Sequence, residues 1–152
     1  MDQITMRRNV IGLAFGGDEE KFEEFCRTVR ESVPEAHCAV LRGSAVTGER
    51  YDDGAPFDAD GPRTSDLDLT LVGAEVLRYY AVTGYWIPGI HSRPLSDKDP
   101  EIAPELVALR ERLMAMVGRP VNIQGTRDWV QSLRGELMGQ PYLVLYGSVT
   151  EP

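Results

Sequence analysis

The clearest periodic pattern in the chain lies between residues 18 and 33. Its apolar side chains recur at intervals of three or four residues: Phe22, Phe25, Cys26, Val29 and Val33. Because residues at this spacing share one side of an α-helix, the pattern predicts an amphipathic helix over 18–33. Acidic side chains at 18–20 favour its start, and Pro34 stops it.

Two further helices are predicted in the second half of the chain. The first covers 104–117, because Pro104 suits a first helical turn and Gly118 suits a helix end. Its apolar stripe consists of Leu106, Leu109, Leu113, Met116 and Val117. The second is expected over 126–137, with Thr126 as its N-cap. Its inward-facing residues are Trp129, Val130 and Leu133.

Short apolar runs predict four strands. They cover 36–41, 66–72, 121–123 and 142–146. The periodicity of residues 74–80 fits either a helix or the start of a strand, so both alternatives stay open.

Three segments are expected to lie outside these elements: the N-terminal segment 1–17, an acidic loop over 49–64 and a long loop over 84–104. Glycine and proline interrupt both loops. Loops as long as the second often carry function in compact domains. Its aromatic residues, Tyr85 and Trp86, either pack on the protein itself or stack on a ligand, and His91 is a candidate general base.

The composition is that of an ordinary globular chain. It has 152 residues, of which 42% are hydrophobic and 26% charged, and a net charge of -8. The length suits one domain, and no apolar run is long enough for a membrane span. The acidic balance argues against strong non-specific binding to nucleic acid. We expect a cytoplasmic protein in which Cys26 and Cys38 are buried thiols.

A Ser-Asp-Leu-Asp-Leu run at 65–69 opens the second predicted strand. Successive side chains of a strand point to opposite faces, so Asp66 and Asp68 share one face and the leucines take the other. Two ionised carboxylates this close repel each other, and a hard cation such as Mg²⁺ explains why a site would hold them together. The plain alternative is a solvated strand face.

A Gly-Ser pair, Gly43 and Ser44, follows the first predicted strand. A glycine lets the backbone approach a phosphate closely, and a serine hydroxyl with nearby amides can bind phosphate oxygens. Such a pair alone is an ordinary turn. In order before the two-carboxylate strand, it points to metal-assisted chemistry on a nucleotide.

The order of these elements resembles the DNA polymerase β-like nucleotidyltransferase superfamily, above all its small stand-alone members. The similarity covers about residues 38–147, ending in a Leu-Tyr-Gly strand. It implies one domain over 1–152 of the α/β (α+β) class, with helices packed against a mixed sheet. It also implies transfer of a nucleoside monophosphate from a nucleoside triphosphate, for instance ATP, to an acceptor, with Mg²⁺ or Mn²⁺ and release of pyrophosphate.

The resemblance assigns a role to each matching residue. Gly43 and Ser44 match the phosphate-binding turn of the family, and Ser65 matches the small polar residue before its first aspartate. Asp66 and Asp68 match the two carboxylates that bind metal and take part in catalysis. Two metal ions would bridge the triphosphate and stabilise the leaving pyrophosphate.

The chain departs from the family pattern in three places. Asn122 stands where the family has a third catalytic carboxylate, and an asparagine can ligate Mg²⁺ but cannot act as a base. Residues 51–63 resemble an insertion. The arginine that often follows the Gly-Ser turn is absent from 45–48. Three other arginines are candidates to contact the triphosphate: Arg42, Arg50 and Arg63.

The acidic residues of the 51–63 insertion do not match a calcium-binding loop. They are Asp52, Asp53, Asp58 and Asp60. We expect them to be solvated, and the alternative is that one of them replaces the missing third ligand.

Three functions remain open at this point. The first is an active nucleotidyltransferase acting on a small molecule, a protein side chain or an RNA end. The second is a catalytically impaired nucleotide-binding or regulatory module, for example a toxin-antitoxin partner. The third is a structural domain whose two aspartates are incidental. A nucleoside triphosphate is the partner expected first, and a homo-oligomer or a partner protein is compatible with each function.

Overall fold

A computed structural model describes residues 1–87, 91–129 and 140–150, with the backbone alone at Trp86 and Ile87. Six strands form one mixed sheet in the order β3-β4-β5-β2-β1-β6. The strands are β1 (Cys38–Arg42), β2 (Leu67–Val72), β3 (Tyr85–Ile87), β4 (His91–Ser92), β5 (Val121–Thr126) and β6 (Tyr142–Gly147). The β2–β5 pair is parallel, whereas the other neighbouring strands run antiparallel. The predicted α/β class is therefore confirmed.

Helices pack against this sheet. They are α1 (Gln3–Ala14), α2 (Glu19–Ser32), the short α3 (Ser44–Thr47) and α4 (Val107–Val117), with 3₁₀ turns at Val76–Tyr79, Val82–Gly84 and Pro104–Leu106. The predicted stripe of α2 is buried in the main core. In α4 the residues Leu109 and Leu113 are buried, whereas Met116 and Val117 are only half-buried. None of the described helices is long and apolar enough to cross a membrane.

The strand alternation predicted for β2 separates its two faces. Leu67, Leu69 and Leu71 pack into the main core, which places Asp68 on the opposite face of the sheet. That opposite face has a smaller apolar cluster of its own, formed by Cys38, Val40, Val72 and Trp129. The sheet thus has apolar residues on both faces, and Asp68 shares its face with the buried Thr70 and Val72.

Both cysteines are buried and free, as predicted. Burial raises the pKa of Cys26 to about 12 and that of Cys38 to about 11. At neutral pH both side chains are therefore thiols that contribute to packing.

The structure adds to the sequence prediction in three segments and corrects it in one of them. Segment 1–17, to which the sequence assigned no element, contains α1, whose buried residues are only Met6, Val10 and Ala14, too sparse a stripe to reveal a helix. The predicted loop over 84–104 contains β3 and β4, which extend the sheet beyond β5. These strands have three and two residues, so no alternation marks them. Residues 76–79 form a 3₁₀ turn, so the helical one of the two alternatives left open for 74–80 is the one observed.

The third predicted strand is longer than expected. β5 continues to Thr126, which is a strand residue and whose hydroxyl accepts a hydrogen bond from the backbone N–H of Asp128. The helix predicted over 126–137 lies mostly outside the described residues, as do the side chains of Val130 and Leu133. Trp129 is buried, as predicted.

One aspartate of the acidic insertion, Asp58, is only partly exposed and belongs to a structural ion pair. Asp58 binds the guanidinium of Arg119 at 2.8 Å, and the Arg119 side chain is only 6% exposed. The hydrogen bond from Arg119 holds the pKa of Asp58 down at about 2. The ring of Phe57 covers the same guanidinium at 4.5 Å. The insertion is therefore anchored to the segment between α4 and β5.

We predict that Asp58→Asn lowers the free energy of unfolding at pH 7 by about 2 kcal/mol, because it leaves the buried Arg119 without its counter-charge. Since the pKa of Asp58 is lowered on folding, its contribution is complete above pH 4 and is lost as the pH falls from about 4 to 2. The variant should lack that acid-sensitive component in urea denaturation measured across this range.

Asp60→Asn is the matched control. Asp60 belongs to the same loop and also pairs with an arginine, Arg50, but its side chain is 71% exposed. An exposed pair contributes less than about 1 kcal/mol. Equal losses in the two variants would contradict a buried anchor at Asp58.

Candidate functional site

Three polar residues lie side by side across the centre of the sheet. Arg42 of β1 is in register with Asp68 of β2, and Asp68 is in register with Asn122 of β5. Residues in register on neighbouring strands point to the same face. The pairing of three strands therefore places a cation, a carboxylate and an amide in one row, and Asp66 stands just before β2.

The side chain of Asn122 joins the two carboxylates. Its Nδ2 donates to Oδ2 of Asp66 at 2.8 Å and to Oδ1 of Asp68 at 3.3 Å. The structure thus brings Asp66, Asp68 and Asn122 together although 54 residues separate Asp68 from Asn122. The amide N–H groups of Asn122 therefore lie between the two carboxylates.

The electrostatics of this cluster oppose full ionisation. Burial and then the charge of Asp66 raise the pKa of Asp68 to about 6, although Arg42 and the hydrogen bond from Asn122 act in the opposite direction. A carboxylate with a raised pKa is stabilised by any cation that enters the site. Two carboxylates and an amide carbonyl also supply the oxygen ligands that hard divalent cations prefer.

Gly43 brings the backbone against this cluster. It has a φ of +95°, and a Cβ at this position would lie 3.0 Å from Oδ2 of Asp68. Gly43 precedes α3, whose first residue is Ser44. The Gly-Ser turn and the two carboxylates therefore meet in space, at the point where β1 ends.

A hydrogen-bonded polar network next to the carboxylates connects β1, β5 and β4. Arg42 donates to Oε1 of Gln124 at 3.4 Å, and Gln124 donates to the carbonyl oxygen of Ser92 at 2.6 Å. Gln124 and Ser92 are buried. No sequence pattern marked either residue, but Gln124 follows Asn122 by two residues, which places both side chains on one face of β5.

Two cavities of about 430 Å³ each meet at Asp66. The first, here the Gly43 cavity, has in its lining Arg42, Gly43, Ser44, Arg50, Tyr51 and Asp68. The second, here the Lys98 cavity, has in its lining Arg93, Ser96, Asp97, Lys98, Asp99 and Asn122. The carboxylate cluster is therefore open to solvent from two sides.

Ser65 has a supporting place in this arrangement. Its hydroxyl accepts a hydrogen bond from the backbone N–H of Asp58, and its own N–H donates to the carboxylate of Asp58. Arg119 donates to its carbonyl oxygen at 2.9 Å. Ser65 also lines the Gly43 cavity. The anchored insertion thereby positions the residue next to Asp66.

The three candidate arginines are separated in space. Arg42 and Arg50 line the Gly43 cavity. Arg63 instead lies against Gly118, where a Cβ would be 3.5 Å from its guanidinium, and it lines a different cavity between the ends of α1 and α4. Arg63 is therefore removed from the carboxylates.

The candidates from the 84–104 segment are also placed by the structure. Tyr85 donates its hydroxyl to the carbonyl oxygen of Leu77 at 3.2 Å, so it packs on the protein itself. The side chain of Trp86 lies outside the described residues. His91 is buried on β4 opposite Thr126, and burial lowers its pKa. The described lining of the two cavities does not include His91.

In the described ranges, no three side chains of the types histidine, cysteine, aspartate and glutamate lie close enough together to hold a metal ion. The candidate set here is of another kind, with two carboxylates and one amide. Comparisons with family models, with curated proteins and with solved structures gave no match.

We predict that Gly43→Ala lowers the free energy of unfolding by about 1 to 3 kcal/mol, because its backbone conformation is nearly exclusive to glycine and the new Cβ meets Asp68. Urea denaturation measures the loss. Gly48→Ala is the control, since Gly48 has a φ of +89° but open space around it. In an Asp68→Ala background the Gly43 substitution should cost less; an unchanged cost would contradict the close approach.

We also predict that metal-free stability at pH 7 falls as carboxylates are added to the cluster. Asp68→Asn removes one charge and should raise the free energy of unfolding by about 1 to 2 kcal/mol. Asn122→Asp adds one and should lower it by a similar amount. Urea denaturation with a chelator present measures both.

Asp52→Asn provides the same change of charge on an exposed side chain and should have little effect. An Asp68→Asn protein less stable than the unsubstituted chain would show that the two carboxylates do not repel each other in the folded state.

Proposed function

We propose that this chain is a magnesium-dependent nucleotidyltransferase. The observation that carries the proposal is the convergence of Asp66, Asp68 and Asn122 on one point between two cavities, next to the turn at Gly43 and Ser44. A reaction that joins two substrates needs room on both sides of its charged centre, and this arrangement provides it.

The residues of the cluster fit a hard divalent cation. Asp66 and Asp68 would hold Mg²⁺ or Mn²⁺ through their carboxylates, and Asn122 would contribute Oδ1 after rotation of its amide. A bound ion neutralises charge on the phosphates and favours the leaving pyrophosphate. The raised pKa of Asp68 is compatible with this assignment, because it results from burial and from the charge of Asp66, both of which a bound cation would offset.

The two cavities suit the two substrates. The Gly43 cavity takes the nucleoside triphosphate, since Arg42, Arg50 and the Gly-Ser turn supply positive charge and hydrogen-bond donors there. The Lys98 cavity takes the acceptor, because it borders Asp66 and Asn122 from the other side. The acceptor is a small molecule, a protein side chain or an RNA end, and ATP is the triphosphate to test first.

The reaction breaks one bond and forms another at the α-phosphorus. The acceptor hydroxyl oxygen attacks this atom, and the bond to the oxygen that bridges the α- and β-phosphates breaks, so pyrophosphate leaves with the electron pair. The hydroxyl proton passes to solvent, because the amide of Asn122 cannot accept it. Turnover at neutral pH is therefore slow.

The same asparagine favours a second candidate function. A nucleotide-binding or regulatory module needs the cation and the nucleotide but no proton acceptor, which fits Asn122. Such a module would act through a partner protein or a second copy of the chain, as one member of a toxin-antitoxin pair does. Either function suits the cytoplasm, where nucleotides are plentiful and the free thiols of Cys26 and Cys38 stay reduced.

The test compares ATP labelled at the α-phosphate with ATP labelled at the γ-phosphate, incubated with Mg²⁺, the protein and candidate acceptors. We predict that only the α-label is transferred. Asp66→Asn and Asp68→Asn should each abolish transfer, and Asn122→Asp should increase it by about tenfold or more, since a positioned base contributes about 10² to 10⁴ in rate.

The outcomes separate the two candidates. Nucleotide binding that requires Mg²⁺, together with no transfer by the unsubstituted chain and transfer by Asn122→Asp, would favour the binding module. Absence of any Mg²⁺-dependent nucleotide binding, measured by calorimetry, would contradict both.

A further inference from the structure

Tyr51 is an exposed aromatic residue at the edge of the Gly43 cavity. Its exposed fraction is 63%, and it is the only aromatic among the large hydrophobic residues that are exposed in the described part of the chain. No described residue forms a hydrogen bond with its hydroxyl. The face of this ring is therefore accessible to a ligand in the Gly43 cavity.

The backbone around Tyr51 is held in a defined turn. The N–H of Arg50 donates to the carbonyl oxygen of Ala55 at 2.7 Å, and the N–H of Gly54 donates to that of Arg50 at 3.0 Å. The carboxylate of Asp53 accepts from the N–H of Ala55 at 2.9 Å. The ring is therefore presented from a pre-formed turn, which lowers the entropy cost of binding.

A smaller cavity of about 220 Å³ lies beside the Gly43 cavity. Both have Gly43, Arg50, Tyr51 and Gln140 in their lining. Together they form a groove that starts at the carboxylates and passes Tyr51. Its combined volume is in the range of ordinary small-ligand sites.

The two ends of this groove differ in their charged residues. Arg42 lies at the carboxylate end, whereas Glu49 and Asp52 line the groove near Tyr51. A divalent cation held by Asp66 and Asp68 would make the first end positive and attract phosphate groups there, whereas Glu49 and Asp52 repel them from the second end. The uncharged part of a nucleotide therefore suits the end that contains Tyr51.

We propose that Tyr51 stacks on the base of the nucleoside triphosphate and so makes the site select a nucleoside over a bare polyphosphate. This inference rests on the proposed function, since it assumes a triphosphate in the Gly43 cavity. An aromatic ring stacks on any base face, so the contact confers affinity for a nucleoside without choosing its base. The insertion that separates the Gly-Ser turn from the carboxylates thus takes part in binding.

The test measures the affinity of two ligands in the presence of Mg²⁺: a non-hydrolysable ATP analogue and inorganic tripolyphosphate. Calorimetry is carried out on the unsubstituted chain, Tyr51→Ala and Tyr51→Phe. Tyr51→Ala should weaken the ATP analogue by about tenfold or more and leave tripolyphosphate unchanged, because only the first ligand has a base. Tyr51→Phe keeps the ring and should bind both ligands normally.

A second readout reports the stack itself. The fluorescence of 2-aminopurine riboside triphosphate should be quenched on binding to the unsubstituted chain and to Tyr51→Phe, and less quenched by Tyr51→Ala. Thermal unfolding without ligand checks that each variant is folded, and the exposed position of Tyr51 makes that the expected result.

The remaining outcomes are distinguishable. If Tyr51→Ala binds the ATP analogue as tightly as the unsubstituted chain, the inference is overturned and the proposed function stands. Equal weakening of both ligands, or the same loss in Tyr51→Phe, would also overturn it, since the ring would not be the contact. Binding of neither ligand to the unsubstituted chain would overturn the proposed function together with the inference.

Discussion

The contact of one amide with two carboxylates depends on the parallel pairing of β2 with β5. Asn122 reaches both Asp66 and Asp68 because it is in register with Asp68 on the neighbouring strand. A shift of one residue in that pairing would turn Asn122 to the other face of the sheet and leave two like charges facing each other. Val121 and Ile123 of β5 resist this shift, since they lie in the main core and the same shift would remove them from it. Packing on one face of the sheet thus maintains the polar contacts on the other face.

The same cluster is supported from both flanks. On one side, Gly43 allows the backbone to lie against Asp68 because it has no Cβ. On the other side, the ion pair of Asp58 with Arg119 holds Ser65, the neighbour of Asp66, by hydrogen bonds. The acidic insertion is therefore part of the structure that positions the site. Because its last residues are held by this ion pair, the long polar segment places Asp66 in a defined position.

The sequence allowed prediction of what depends on local periodicity. The amphipathic stripe of α2 and the alternation in β2 repeat several times within one element, so they are visible in the chain itself. The strands β3 and β4 are too short to show a period and are stabilised by pairing at the sheet edge. Asp58 looked like a solvated residue because its partner, Arg119, is 61 positions away. The residue types of the candidate site were recognisable, whereas the two cavities and the amide contact depend on long-range packing.

Occupation of the cluster by a divalent cation would distinguish a functional site from an incidental group of polar side chains. The most direct measurement is a crystal structure of the protein soaked with Mn²⁺ and a non-hydrolysable ATP analogue, with anomalous scattering used to locate the ion. We predict an anomalous peak coordinated by the carboxylates of Asp66 and Asp68, with the amide of Asn122 rotated so that its oxygen faces the ion. Density for the analogue without such a peak, and an Asn122 amide still donating to both carboxylates, would contradict the account.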